Sequence, residues 1–197
     1  MVAAVLAAGT ASRMGRAKQL LPWGDHTMLE QTLRNVLASR VQEVIVVTGY
    51  RATDVSAIAR RAGATVVHNE HYKEGEMLSS LQAAVAHLPA VCQAVLVMLA
   101  DQPLVEPQTI NRLLAAHEAG PGDLIAPLYK GRRGNPVLIG RPYFAELLAL
   151  PRGAAPRDLL RRHAQDLTLV PVDSPSVLVD IDRPADYEAH RPPPADD

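Results

Sequence analysis

A single cysteine, Cys92, occurs in 197 residues, so neither a disulfide framework nor a cysteine metal site is available. It lies beside an apolar run, where a buried, inert thiol is expected. Aromatic residues make up only 4% of the chain against 48% hydrophobic residues, so the core has to be built from Ala, Val and Leu. Neither sign of charge dominates: Lys and Arg total 20, Asp and Glu 21, and the formal net charge is -1. That leaves no electrostatic footprint for nucleic acid or an anionic membrane, and any anion must be met by a local arrangement. No apolar run reaches the length of a membrane span, and no basic-then-apolar leader precedes the first apolar run. The expectation is a cytoplasmic protein with no nucleic-acid and no membrane partner.

What is present is a regular alternation. Short apolar runs at residues 2–7, Glu43–Thr48, Thr65–His68 and residues 94–100 read as strands. Between and after them, residues 28–38, 52–62, 77–87 and 106–119 carry the helical spacing, with Leu78, Leu81, Val85 and Leu88 recurring on one face. Strand and helix in turn predict a single α/β domain over residues 1–190: three layers, helix on sheet on helix, with a mostly parallel Rossmann-like sheet. In residues 123–140 the character changes. Two apolar runs joined by the basic turn KGRRG predict a small antiparallel hairpin laid across the sheet edge. Helices near residues 143–150 and 155–165 and a strand near 167–172 follow. Residues 191–197 have no core-forming content and read as a disordered tail.

In open parallel sheets, ligands bind beyond the carboxyl ends of the strands, where Gly9, Gly49 and Asp101 fall. Gly9 ends the first run, and without a Cβ its turn can bring backbone N–H groups close to a phosphate. Ser12 can cap a following helical turn. Arg13 and Lys18 add a planar fork and a mobile point charge, enough to meet a triphosphate, although a lysine in a loop is often only solvated. Two commoner phosphate loops do not fit. Gly15 is followed by Arg16 and Ala17, which is no P-loop ending, and Gly9 by Thr10 and Ala11, which is no dinucleotide fingerprint.

Residues 6–24, LAAGTASRMGRAKQLLPWG, resemble the first loop of the sugar-phosphate and cofactor nucleotidyltransferases, L-A-A/G-G-x-x-x-R-M-G-x-x-K-x-L-L-P. Within that superfamily the chain looks most like the molybdenum cofactor cytidylyltransferases, relatives of the MobA-type guanylyltransferases. The resemblance implies a nucleotide site at Leu6, Ala7, Ala8, Gly9, Thr10, Ser12, Arg13 and Lys18. Asp101, in Leu-Ala-Asp-Gln-Pro, stands where the family has its metal aspartate; its alternative is a helix cap. Asp180 and Asp182 resemble the family's closing Asp-x-Asp-x-Pro-x-Asp-Tyr motif, with Arg183 where Thr is common. Alternation in Asp-Ile-Asp puts both carboxylates on one side of an extended segment, with capping as the alternative for Asp182. Gly75, Ser79 and Ser80 look like the segment around the base, although a serine pair also starts ordinary helices. Arg132, Arg133, Gly134 and Asn135 resemble the segment where the second substrate sits, against the alternative of a solvated turn.

The activity this implies is transfer of CMP from CTP to the terminal phosphate of molybdenum-bearing molybdopterin, releasing pyrophosphate. Mg²⁺ is the implied cofactor; Arg13, Lys18 and Asp101 are the implied catalytic residues, and a recipient molybdoenzyme is a further partner. The choice of CTP over GTP rests on Ala8, since cytidylyl members tend to read Ala-Ala-Gly where guanylyl members have an additional glycine. One methyl is worth about 1 to 3 kcal/mol of discrimination. Another nucleotidyltransferase, GTP-using or acting on a sugar or alcohol phosphate, is the alternative within the superfamily. A nicotinamide-dependent oxidoreductase and a non-catalytic molybdopterin carrier are alternatives from other classes. The missing dinucleotide fingerprint speaks against the former.

His68 and His71 have metal-like spacing but no third ligand, and no zinc site is expected.

Overall fold

The computed structural model of the chain describes residues 1–10, 17–74, 77–120 and 122–193. β1 (Val2–Leu6) is central to the main sheet, with helices over both faces. That is why its apolar run is unbroken rather than alternating. Its side chains still point to opposite sides: Ala3 and Val5 join one core cluster, Val2 and Ala4 the other.

β2 (Pro22–Trp23) and β3 (His26–Thr27) form a small antiparallel hairpin turned by Gly24, whose φ is +59°. α1 (Met28–Leu37) begins in a capping box. Thr27 Oγ1 accepts the Glu30 N–H at 3.2 Å and the Glu30 carboxylate accepts the Thr27 N–H at 2.7 Å, an arrangement that contributes about 1 kcal/mol. Leu29, Leu33 and Val36 then face the core.

β4 (Glu43–Thr48), α2 (Ala52–Arg61), β5 (Thr65–His68), α3 (Met77–Ala86), β6 (Ala94–Leu99) and α4 (Pro107–Glu118) continue the predicted alternation. α4 starts on a proline, whose missing N–H has no partner to lose in a first turn. β4 and β6 flank β1 in parallel and in level register, with Leu6 opposite Val47 on one side and Leu99 on the other. Their carboxyl ends therefore form a single rim.

The next stretch corrects an expectation. β7 (Leu124–Tyr129), β8 (Arg132–Arg133) and β9 (Val137–Gly140) are antiparallel, but they do not lie across an edge. β9 enters the sheet between β6 and β7 and pairs with both. All four of its residues are buried, and an apolar strand of that kind loses less at an interior position than at an edge. α5 (Phe144–Ala149), α6 (Pro156–Arg162), β10 (Leu167–Pro171) and α7 (Pro184–His190) complete the chain. β10 pairs outside β7, giving an eight-stranded sheet of order β10-β7-β9-β6-β1-β4-β5 with β8 attached to β7.

Two core clusters fill the two sheet faces with Ala, Val, Leu and Ile, each large aliphatic contributing about 1.5–3 kcal/mol on burial. Cys92 is buried in one of them and donates its thiol to Ala94 O. The one tryptophan, Trp23, belongs to a third, small cluster with Leu21, Met28 and Ile181. That cluster pins residues 179–183 against the β2–β3 hairpin. At the far end, the Arg191 N–H donates to Tyr187 O at 2.8 Å and Pro192 lies beside Gly24; residues 194–197 are outside the described ones. Among the described residues no helix is long and apolar enough to cross a membrane.

Candidate active site

The level ends of β1, β4 and β6 bring Ala8, Gly49 and Asp101 to one rim. Backbone bonds hold it there: Tyr50 N–H to Ala8 O at 3.1 Å and Ala100 N–H to Leu6 O at 3.2 Å. Gly49 leaves no room for a side chain, since a Cβ would stand 2.8 Å from Ala8 O and closer still to Tyr72. Gly9 is the opposite case. Among the described residues a Cβ there would meet no atom within 4 Å, and the glycine lines the cleft.

That cleft has a volume of about 350 Å³. One wall is Leu6, Ala7, Ala8, Gly9 and Thr10; Tyr72, Met77 and Ser80 form another; Lys18, Asp101, Asp180 and Asp182 bring the charge. Gln19, only 3% exposed, donates to Ala7 O at 3.2 Å and so fastens the segment carrying Lys18 to the end of β1.

Lys18 Nζ lies between two carboxylates, donating to Asp101 Oδ2 and, at 2.5 Å, to Asp182 Oδ1. Desolvation alone would lower the lysine pKa, but the Asp101 and Asp182 carboxylates outweigh it and hold the ammonium above its ordinary value. The two acidic segments are also joined through the backbone, Ile181 N–H donating to Asp101 O at 3.1 Å. Ile181 is fully buried in the tryptophan cluster, and alternation turns Asp180 and Asp182 toward the cleft. Helix capping takes neither lysine partner. α4 is preceded by Glu106 at its cap position, and the start of α7 is held by Asp186, which accepts the Arg183 N–H at 2.8 Å.

Asp180 is held differently. The Gln102 amide donates to its Oδ1 at 2.6 Å, while Gln102 Oε1, on a residue 1% exposed, has no partner among the described residues. Desolvation, then the neighbouring Asp101 and Asp182 carboxylates, push the Asp180 pKa above the ordinary carboxylate value against the pull of Gln102 and Lys18.

Among the described residues no three His, Cys, Asp or Glu side chains are gathered into a metal site on their own. Mg²⁺ needs no such cage: it takes one or two carboxylates and completes its shell with water and phosphate oxygens. Asp101 and Asp182, already sharing one ammonium, are hard oxygen donors within reach of a single small cation. The residues present fit the ion.

The serines expected near a base fall in the first turn of α3. Asn69, 2% exposed, donates to Ser79 Oγ at 2.9 Å and Ser80 Oγ at 3.0 Å. Asn69, Gln19 and Gln102 were not singled out from the sequence; the only available signal was their place just past a strand or motif. Arg132 and Arg133 are exposed on β8 and do not line the cleft. Gly134 and Asn135 bind the closing segment instead. The Asn135 N–H donates to Val177 O at 2.9 Å, and a Cβ on Gly134 would stand 2.8 Å from the Val177 carbonyl carbon. His68 Nδ1 contacts Thr48 Oγ1 at 3.2 Å and His71 Nδ1 contacts Glu74 at 3.1 Å, so the two imidazoles serve separate contacts. Ser12, Arg13 and Gly75 lie outside the described residues.

Comparison with known proteins agrees with this geometry. Residues 3–167 match the family described as MobA-like NTP transferase domain. The molybdenum cofactor cytidylyltransferase of Escherichia coli is 30% identical over 185 residues, covering 93% of this chain and 91% of that protein. The nicotine blue oxidoreductase of Paenarthrobacter nicotinovorans is 32% identical over 190 residues, 90% of each chain. A solved nucleotidyl transferase from Methanothermobacter is 30% identical and superposes with a TM-score of 0.82, over 96% of this chain and 95% of that one.

Proposed function

This chain belongs to the MobA-like NTP transferase family and is a nucleotidyltransferase, and from that premise we propose that it transfers CMP from CTP to the terminal phosphate of molybdopterin. The observation that carries the reading is Lys18 set between Asp101 and Asp182 in a cleft also lined by Ala8, Gly9 and Ser80. Cation, acids and open glycine turn are what a triphosphate with a divalent ion requires.

In the reaction an oxygen of the acceptor phosphate forms a bond to the α-phosphorus of CTP, and the bond from that phosphorus to the pyrophosphate oxygen breaks. The nucleophile is already an anion, so no side chain has to remove a proton. Lys18, and Arg13 by its place in the loop motif, hold the triphosphate in line and neutralise charge as it develops. Asp101 and Asp182 would hold Mg²⁺ with Asp180 beside them, and such an ion would supply positive charge to offset that on the departing pyrophosphate. Ala8, 4% exposed in the cleft wall, narrows the base end against a purine. Arg132 and Arg133 supply charge for the anionic acceptor, and a molybdoenzyme receives the product.

Pyrophosphate release with each nucleoside triphosphate, Mg²⁺ and molybdopterin tests this. Release with CTP that depends on molybdopterin is expected; equal or faster release with GTP rejects the base, and release only with a sugar or alcohol phosphate rejects the acceptor. Likeness to an oxidoreductase over 90% of the chain supports a second reading, hydride transfer with a nicotinamide. Oxidation of NAD(P)H by the purified protein would favour it. The absence of a Gly-x-Gly-x-x-Gly run after β1 weighs against it.

A further inference from the structure

Asn69 stands at the carboxyl end of β5 with every polar atom of its side chain engaged. Its Oδ1 accepts the His71 backbone N–H at 3.0 Å, and its Nδ2 donates to both serine hydroxyls. A backbone N–H can only donate, so the His71 contact fixes which end of the amide is oxygen and turns the NH₂ group to the serines. In its contact with Asn69, Ser80 Oγ can then only accept. Its own hydrogen stays available, and no described residue takes it. Ser80 is 6% exposed and lines the cleft with Ala8 and Tyr72, so that hydrogen has the cleft as its outlet.

We infer that Asn69 sets the polarity of the nucleobase subsite: by donating to Ser80 it makes that hydroxyl a donor toward the cleft, matched to a base whose ring nitrogen is an acceptor. The inference rests on the CTP reading above. Cytosine presents N3 and O2, both acceptors. Uracil has the same size and the same O2 acceptor but carries N3–H, and guanine carries N1–H beside its exocyclic amine, so at the ring nitrogen both turn a donor toward a donor. Ring size is read by Ala8; hydrogen-bond polarity is read through Asn69. These are separable, because CTP and UTP differ in polarity alone.

Asn69 does not line the cleft and acts as a positioning residue. Aspartate in its place keeps the shape and still accepts the His71 N–H, but its carboxylate can only accept from Ser80. The hydroxyl would then give its hydrogen to residue 69 and turn lone pairs to the cleft.

Calorimetric titration of wild type, Asn69→Asp and Ser80→Ala with CTP, UTP and GTP, each with Mg²⁺, tests this. Wild type should favour CTP over UTP by about tenfold or more, the scale of one satisfied against one opposed hydrogen bond. Asn69→Asp should lower that ratio by about tenfold, losing CTP affinity while gaining UTP, and Ser80→Ala should bring it close to one. Equal loss for all three nucleotides, or an unchanged CTP-to-UTP ratio in a folded Asn69→Asp or in Ser80→Ala, overturns the inference and leaves Asn69 as a brace for the fold. Should Asn69→Asp fail to fold by circular dichroism, Ser80→Ala decides alone. A wild type that prefers GTP refutes the CTP reading in its own titration, while a shifted CTP-to-UTP ratio in the variants still upholds the polarity role.

Discussion

Asn69, just past β5, and Arg133, in β8, are held in opposite ways. The asparagine is buried and its amide is saturated by two serines and a backbone N–H. Arg133 is exposed, and among the described residues it makes no ion pair. The same contrast runs through the two regions. On the nucleotide side Gln19, Gln102 and Lys18 are each tied to a named partner inside the rim. On the hairpin side the backbone of Gly134 and Asn135 is anchored while the arginine side chains are left to solvent. On the proposed reading the preorganised side meets the nucleotide, its base through Asn69 and its phosphates through Lys18 and the acids, where fixed dipoles act without reorganising. The turn is organised only at its stem, which on the proposed reading suits an acceptor recognised by charge.

The comparison can be broken most forcefully at the preorganised side. Asp101→Ala or Lys18→Ala, folded as judged by circular dichroism, should reduce pyrophosphate release by on the order of 10²- to 10³-fold. Loss of only a few-fold from both would mean that the wall is not the chemical centre. Next is the seam between the regions. Gly134→Ala drives a Cβ into the Val177 carbonyl, and urea unfolding should show about 1–3 kcal/mol of lost stability. An unchanged midpoint would show the turn to be independent of the acidic segment.

Arg132→Ala with Arg133→Ala should raise the acceptor KM by about tenfold, as expected for a lost charge-assisted contact, and leave CTP affinity within about twofold. Weakened CTP binding in this pair would erase the division of labour. The smallest effect concerns Asp180. Its raised pKa means that the folded state holds the charged carboxylate less willingly than the unfolded chain does. This penalty is full above the raised pKa, fades as pH falls through it, and is gone below the ordinary carboxylate range. Asp180→Asn should therefore melt slightly higher than wild type at neutral pH, with the gain vanishing in acid; a gain that persists there would assign the effect to packing.

The two regions were also unequally legible. Lys18 could be named from sequence by its place in the loop motif, and Asp101, Asp180 and Asp182 by resemblance supported by a strand end and by alternation, a local pattern that Ile181 in the core bears out. Gln102 could not, since its partner Asp180 lies 78 residues away and a glutamine after an aspartate looks like any surface residue. Asn69 was hidden for a similar reason: its role depends on which way an amide is turned, a property of the packed turn rather than of residue type. The place of β9 depended on pairing with β6, a non-local choice that an apolar run of four residues does not announce.

That reversed strand has an evolutionary consequence. β7 carries the chain up to the rim and β9, running against β6 and β7, carries it away again, so the connecting turn hangs at the rim from two strands already stitched into the sheet. Residues on the turn can be exchanged, lengthened or shortened while its stem and the acids across the rim stay where they are. On the proposed reading, a lineage can change which acceptor it serves by drift at a few solvent-facing positions. The chemistry is inherited; the clientele is negotiable.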